Sequence, residues 1–105
     1  MTDPEHINQW ETEAREWARL DGEARRLEEM RKIVFSEVVN RSNATAVSKA
    51  EHEAYASAEF RAHVKKMVEA RTLANIARAR MDARKLEFEK WRTMQATRRT
   101  EMGLT

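Results

Sequence analysis

The chain has 105 residues and a formal net charge of +2, and just over half of it is Ala, Glu, Lys, Leu and Arg, with two Gly, one Pro and no Cys. That composition marks long helices or coiled coils, and it excludes a sheet fold, a disulfide framework and a thiolate metal site. A charged fraction of 36% rules out a large isotropic core and 41% hydrophobic residues is too many for a disordered tail, so residues 1–105 are expected to form a single elongated helical domain.

The first element starts at Thr2 or Asp3, either of which can cap a helix whose first turn holds Pro4 and Glu5, where a missing N–H costs nothing and an acid complements the helix dipole. Ile7, Trp10, Ala14, Trp17, Leu20, Ala24, Leu27, Met30, Val34 and Val38 then recur every three or four residues, which predicts one helix over about 4–40. Gly22 is its weak point, a kink or a place for another helix to come close. The polar run from Asn40 to Thr45 ends it. Within the turn region, about 41–57, Ser48 and Glu51 read as a capping box for a short helix at about 48–56. Ser57, ahead of Phe60, offers a start for a long helix over about 58–102, with Gly103 as its stop; the alternative is that the short and long helices run on as one.

On that last helix Phe60, Met67, Ala74, Met81 and Phe88 are spaced by seven, and Val64, Ala70, Ala77 and Trp91 share their face. Folded back, this stripe mirrors the first: Ile7 meets Trp91, Trp10 meets Phe88, Trp17 meets Met81, Ala24 meets Ala74, Val34 meets Val64 and Val38 meets Phe60. The expectation is an all-α antiparallel hairpin of long helices, coiled-coil-like. A single seam buries little for so small a chain. A weaker stripe of Ile33 and Val39 on the first helix and Leu73, Ile76, Ala83 and Met94 on the last is therefore expected to join two copies into a four-helix bundle.

Chemistry at a fixed site is not expected. His6, His52 and His63 are never three or four residues apart, Ala56 stands where a zinc-protease pattern beginning at His52 and Glu53 needs its second histidine, and no Glu-x-x-His repeat occurs. Gly22 and Gly103 stand alone, so no glycine-rich loop cradles a phosphate. The chain reads as a protein without enzyme activity, cofactor, metal or small-molecule substrate. No apolar run is long enough for a bilayer and the N-terminal residues lack a signal peptide's basic start, so a cytoplasmic, membrane-free protein is expected.

Charge is distributed unevenly: residues 1–47 sum to −3 and residues 61–99 to +8. Arg71, Arg78, Lys85 and Arg92 repeat every seven residues along one flank of the last helix, with Arg98 and Arg99 beyond them. Such a strip either pairs with the acidic first helix, as coiled-coil flanks do, or contacts phosphates of a nucleic acid or an acidic partner. The three tryptophans fall on the predicted seam and read as core anchors rather than base-stacking platforms. Met94 and Met102, with Leu104, either make an apolar tip for a protein partner or simply fray.

The segment from Leu86 to Gly103, with its Trp91, Arg92, Thr93 phrase followed by paired Arg98 and Arg99, resembles the ending of small helical proteins from early gene clusters of tailed phages and prophages, which often neighbour recombination genes. The likeness covers mainly residues 60–103. It implies an accessory protein in the host-cell cytoplasm with no catalytic residue to carry over: an adaptor or inhibitor acting on a DNA-processing or host-defence protein. Direct binding of nucleic acid through the basic strip is the alternative.

Overall fold

The computed structural model describes residues 3–104, with side chains for residues 5–103. It is all-α: α1 is Asp3–Arg41 (39 residues), α2 is Val47–Ala56 (10 residues), α3 is Ala58–Leu104 (47 residues), and no strand occurs among the described residues. Thr2 and the side chains of Asp3 and Leu104 lie outside the described residues.

α1 runs unbroken through Gly22. Ion pairs one turn apart line its outer surface, Arg15 with Glu11, Arg19 with Glu16, Arg25 with Asp21 and Arg26 with Glu23, and they support the helix from its own sequence. A Cβ added at Gly22 would meet nothing within 4 Å, so the expected close approach of another helix at that residue is not there.

The expected capping box of Ser48 and Glu51 does not form. α2 starts one residue earlier at Val47, Ala46 is the extended residue before it (φ −104°, ψ 137°), and no side chain caps the end. A serine caps only from extended backbone, and Ser48 is already helical. Ser57 is the single residue between α2 and α3: its hydroxyl donates to the Ala54 carbonyl at 2.7 Å and accepts from the Phe60 N–H at 3.1 Å, so one side chain serves the end of one helix and the start of the next. At the other end α3 continues through Gly103 to Leu104. No described glycine has a positive φ, and the expected stop at Gly103 is absent because a C-cap glycine acts through that left-handed conformation.

The packing divides into two compact units, Met1–Arg19 with Asn75–Thr105, and Leu20–Ala74. In the first, Trp10 and Phe88 lie with ring centroids 5.7 Å apart, the contact that the mirrored stripes predict. Trp91 meets the His6 ring at 5.7 Å and stacks on Phe88 at 6.4 Å. The Arg78 guanidinium lies over Trp17, 5.9 Å from the ring centroid. Partner numbers on α3 fall as those on α1 rise, so the segments are antiparallel within this unit.

In the second unit Ala24, Ala54 and Ala74 are wholly buried, with Ala50 and Phe60 close behind at 6% and 5% exposure. Phe35, Tyr55 and Phe60 form an aromatic triad with centroids 4.7 to 5.7 Å apart, most of it edge-on, an arrangement favoured by ring quadrupoles. Arg41 pairs with Glu59, and the Ser42 hydroxyl donates to Glu53 at 2.7 Å. His63 is buried and donates from Nε2 to the Leu27 carbonyl at 2.7 Å. All the residues that sequence spacing assigns to the first-helix stripe, from Ile7 to Val38, are half-buried or buried, as are those from Phe60 to Trp91 on α3.

Candidate interaction surfaces

The flank of α3 that carries the basic repeat is used unevenly. Arg71 faces α1 within the second unit: its Nε and one terminal nitrogen donate to the two carboxylate oxygens of Glu28 at 2.9 and 2.7 Å, and its other terminal nitrogen donates to Asp21 at 2.7 Å. The planar guanidinium fits this forked contact as an ammonium would not. The hydrogen bonds from Arg71 hold the carboxyls of Asp21 and Glu28 below the usual range, and the two acids in turn raise the Arg71 guanidinium. Arg71 is therefore occupied within the chain.

Arg78 lies over Trp17, and Arg92 lies 5.8 Å from the centroid of Phe88 on its own helix. Both arginines keep exposed guanidinium edges while their charge rests on a ring face. Arg84 donates to Gln9 at 3.2 Å and to Glu87 at 3.1 Å. Lys85, Arg98 and Arg99 are exposed and join no ion pair among the described residues. Close to them Thr93, Thr97 and Thr100 each donate to the carbonyl four residues back, which hides their hydroxyls in the helix and leaves the cations as the main polar feature of the α3 end.

The second surface is apolar. Leu73 in one unit, and Ile76 and Met94 in the other, are 53%, 46% and 49% exposed, and Ala83 is exposed as well. Leu86 at 65% and Ile33 at 56% add to the exposed apolar set, whereas Val39 is half-buried. Positions 73, 76, 86 and 94 of α3 thus carry apolar groups that the described residues leave about half exposed or more.

Spacing alone puts His63 on the seam, three residues after Phe60 and four before Met67, yet its polar type hides it among apolar candidates. Its partner across the seam is a helix carbonyl, and no group of three or more His, Cys, Asp or Glu able to hold a metal exists among the described residues. The grooves are shallow and open; one is lined along α3 by Phe88, Trp91, Arg92, Ala96 and Arg99, and another by Arg31, Lys32, Phe35, Tyr55 and Phe60. No described helix is long and apolar enough to cross a membrane. No family model matches the chain, and no curated protein or solved structure matches it.

Proposed function

We propose that this chain is a non-enzymatic helical interaction protein: an antiparallel hairpin of α1 and α3, two copies of which pair through Leu73, Ile76, Ala83 and Met94 into a four-helix bundle. The observation that carries the reading is the uncovered apolar face of α3, with Leu73, Ile76 and Met94 each about half exposed on a helix whose opposite face is already packed. Scattered apolar residues on a surface need no explanation, but a row of them along one helix face is the form that partner helices take up. The likeness of residues 60–103 to small phage accessory proteins supports the further reading of an adaptor or inhibitor that acts on a DNA-processing or host-defence protein.

The test is the oligomeric state. Wild-type chain is expected to sediment as a dimer, and the double variant Leu73→Glu/Ile76→Glu as a monomer or an unfolded chain, because burying either carboxylate without a partner costs several kcal/mol. A wild-type monomer, or a variant with unchanged sedimentation and melting temperature, would overturn the reading.

A second reading rests on Lys85, Arg98 and Arg99, which are exposed and without an ion pair among the described residues, unlike Arg71. These three form a direct contact for nucleic-acid phosphates. Changing them to Gln is then expected to weaken a gel shift at every sequence tried and to flatten its salt dependence, by roughly 0.9 in log–log slope for each duplex phosphate that the variant no longer neutralises. No shift by wild-type protein at low salt sinks this reading.

A further inference from the structure

We propose that the outer face of α3 is self-complementary and receives the same face of a second copy, antiparallel, about a two-fold axis between Ala83 and Arg84; the proposal rests on the reading that the chain self-associates and assigns the register in which it does so. Taken every seventh residue, one edge of that face reads Lys66, Leu73, Arg80, Glu87, Met94, Glu101. The order is cation, apolar, cation, then anion, apolar, anion. Read in reverse, the row is its own complement, with Lys66 set on Glu101, Leu73 on Met94 and Arg80 on Glu87.

Symmetry makes that order consequential. A two-fold axis perpendicular to a helix places each edge of the helix beside the same edge of its partner while reversing its direction. A row whose cations lie in one half and anions in the other then pairs opposite charges throughout, as flanking rows do in coiled coils. A parallel arrangement sets that edge beside the opposite edge of its partner, so these opposite-charge pairs do not form.

Within the Asn75–Thr105 segment the central groups are exposed. Arg80 makes no ion-pair contact within 4 Å among the described residues, and its charge acts at longer range on Glu16 of α1. Glu87 holds a half-exposed contact with Arg84 at 3.1 Å, three residues away on its own helix, and its second oxygen remains for a partner. Next to the charged row stand Ile76 and Leu86, 46% and 65% exposed, with the small side chain of Ala83 between them, so close contact of two such ridges meets no bulky obstacle at the axis. Apolar contact drives the pairing and the charged edge selects its direction.

The experiment is a charge exchange read by sedimentation equilibrium, with far-UV circular dichroism to confirm that each variant stays helical. Arg80→Glu puts two acids in the middle of the row and Glu87→Arg puts two bases there. Each alone is expected to weaken self-association at least tenfold. An equimolar mixture is expected to recover a heterodimer of wild-type strength, and the double variant R80E/E87R a homodimer, since both restore every opposite-charge pair. A wild-type dimer whose single variants associate unchanged, or whose mixture and double variant fail to recover, overturns the register and leaves self-association standing. A wild-type chain that is monomeric overturns both.

Discussion

Phe60→Ala is expected to lower stability by about 3–5 kcal/mol, the usual cost of removing a buried aromatic ring and leaving its cavity. Phe60 is 5% exposed, it meets both Phe35 and Tyr55 through tilted or edge-on rings, and the Arg31 guanidinium stands 5.8 Å from its centroid. No other described side chain of its size is so well buried. Because a small domain holds only about 5–15 kcal/mol in total, this one change brings the chain close to unfolding at room temperature. Urea titration at a fixed chain concentration is the measurement, since self-association adds its own stabilisation. Phe60→Leu, which keeps most of the volume, is expected to cost distinctly less. Equal losses from the two variants, or a loss below about 1 kcal/mol from Phe60→Ala, would show that the triad is not the centre of its unit.

The second large effect belongs to Arg71, and its signature is dependence on pH. Asp21 and Glu28 both titrate below their ordinary values, first because Arg71 donates hydrogen bonds to them, and the charge of Asp21 opposes part of that effect at Glu28. A carboxyl whose folded pKa is depressed contributes stability that is fully present above its unfolded value, near 4, and is lost as pH falls through the folded value. Arg71→Gln removes the cation and leaves two acids facing each other. At pH 7 the variant is therefore expected to melt below wild type, and the gap should close as pH falls below the ordinary carboxylate range and the carboxyls of the wild-type chain take up protons. A melting difference that is constant from pH 7 to pH 2 would mean that Arg71 acts by packing alone. Neighbouring Arg25 contacts Asp21 at 2.9 Å and acts on Glu28 only through its charge, so the variant keeps a direct cation partner at Asp21 alone.

The apolar period carries much of this in the sequence itself. Ten residues of α1 and nine of α3 can be assigned to a covered face from spacing alone, because a helix turns every third or fourth residue toward the same side. The Trp10 and Phe88 contact follows from matching the two stripes. What spacing does not supply is the identity of polar partners. In the sequence Arg71 is one of several cations on a flank, and only the packed arrangement singles it out, by bringing Asp21 and Glu28, seven residues apart on α1, to either side of one guanidinium. His63 escapes notice for a related reason: the seam accepts an imidazole provided that a carbonyl such as that of Leu27 receives its proton.

Local capping signals are legible at one serine and misleading at another. Ser48 and Ser57 each precede helical sequence, and nothing in residue type separates them. Ser57 caps because it sits where the backbone is extended between two helices, φ −67° and ψ 145°, while the equivalent extended residue before α2 is Ala46. Gly22 and Gly103 show the same limit. A glycine permits a kink, a close approach or a left-handed turn, but the chain uses none of these at either position.

The aromatic triad also bears on the order in which the chain assembles. Tyr55 and Phe60 are neighbours in sequence and Phe35 lies one short loop away, whereas Trp10 and Phe88 come from near opposite ends of the chain. Closing the longer loop from an open chain costs about 1 kcal/mol more, by the logarithmic growth of closure entropy with length. Once Phe35, Tyr55 and Phe60 have met, most of that extra cost is already covered, and the remaining seam can add one helical turn after another toward the termini. Folding that begins at this corner relies on short-range contacts and is correspondingly fast. If opening starts at the ends of the seam, farthest from this corner, the half-buried Trp10 and Trp91 lose their ring partners first, and their fluorescence reports that step.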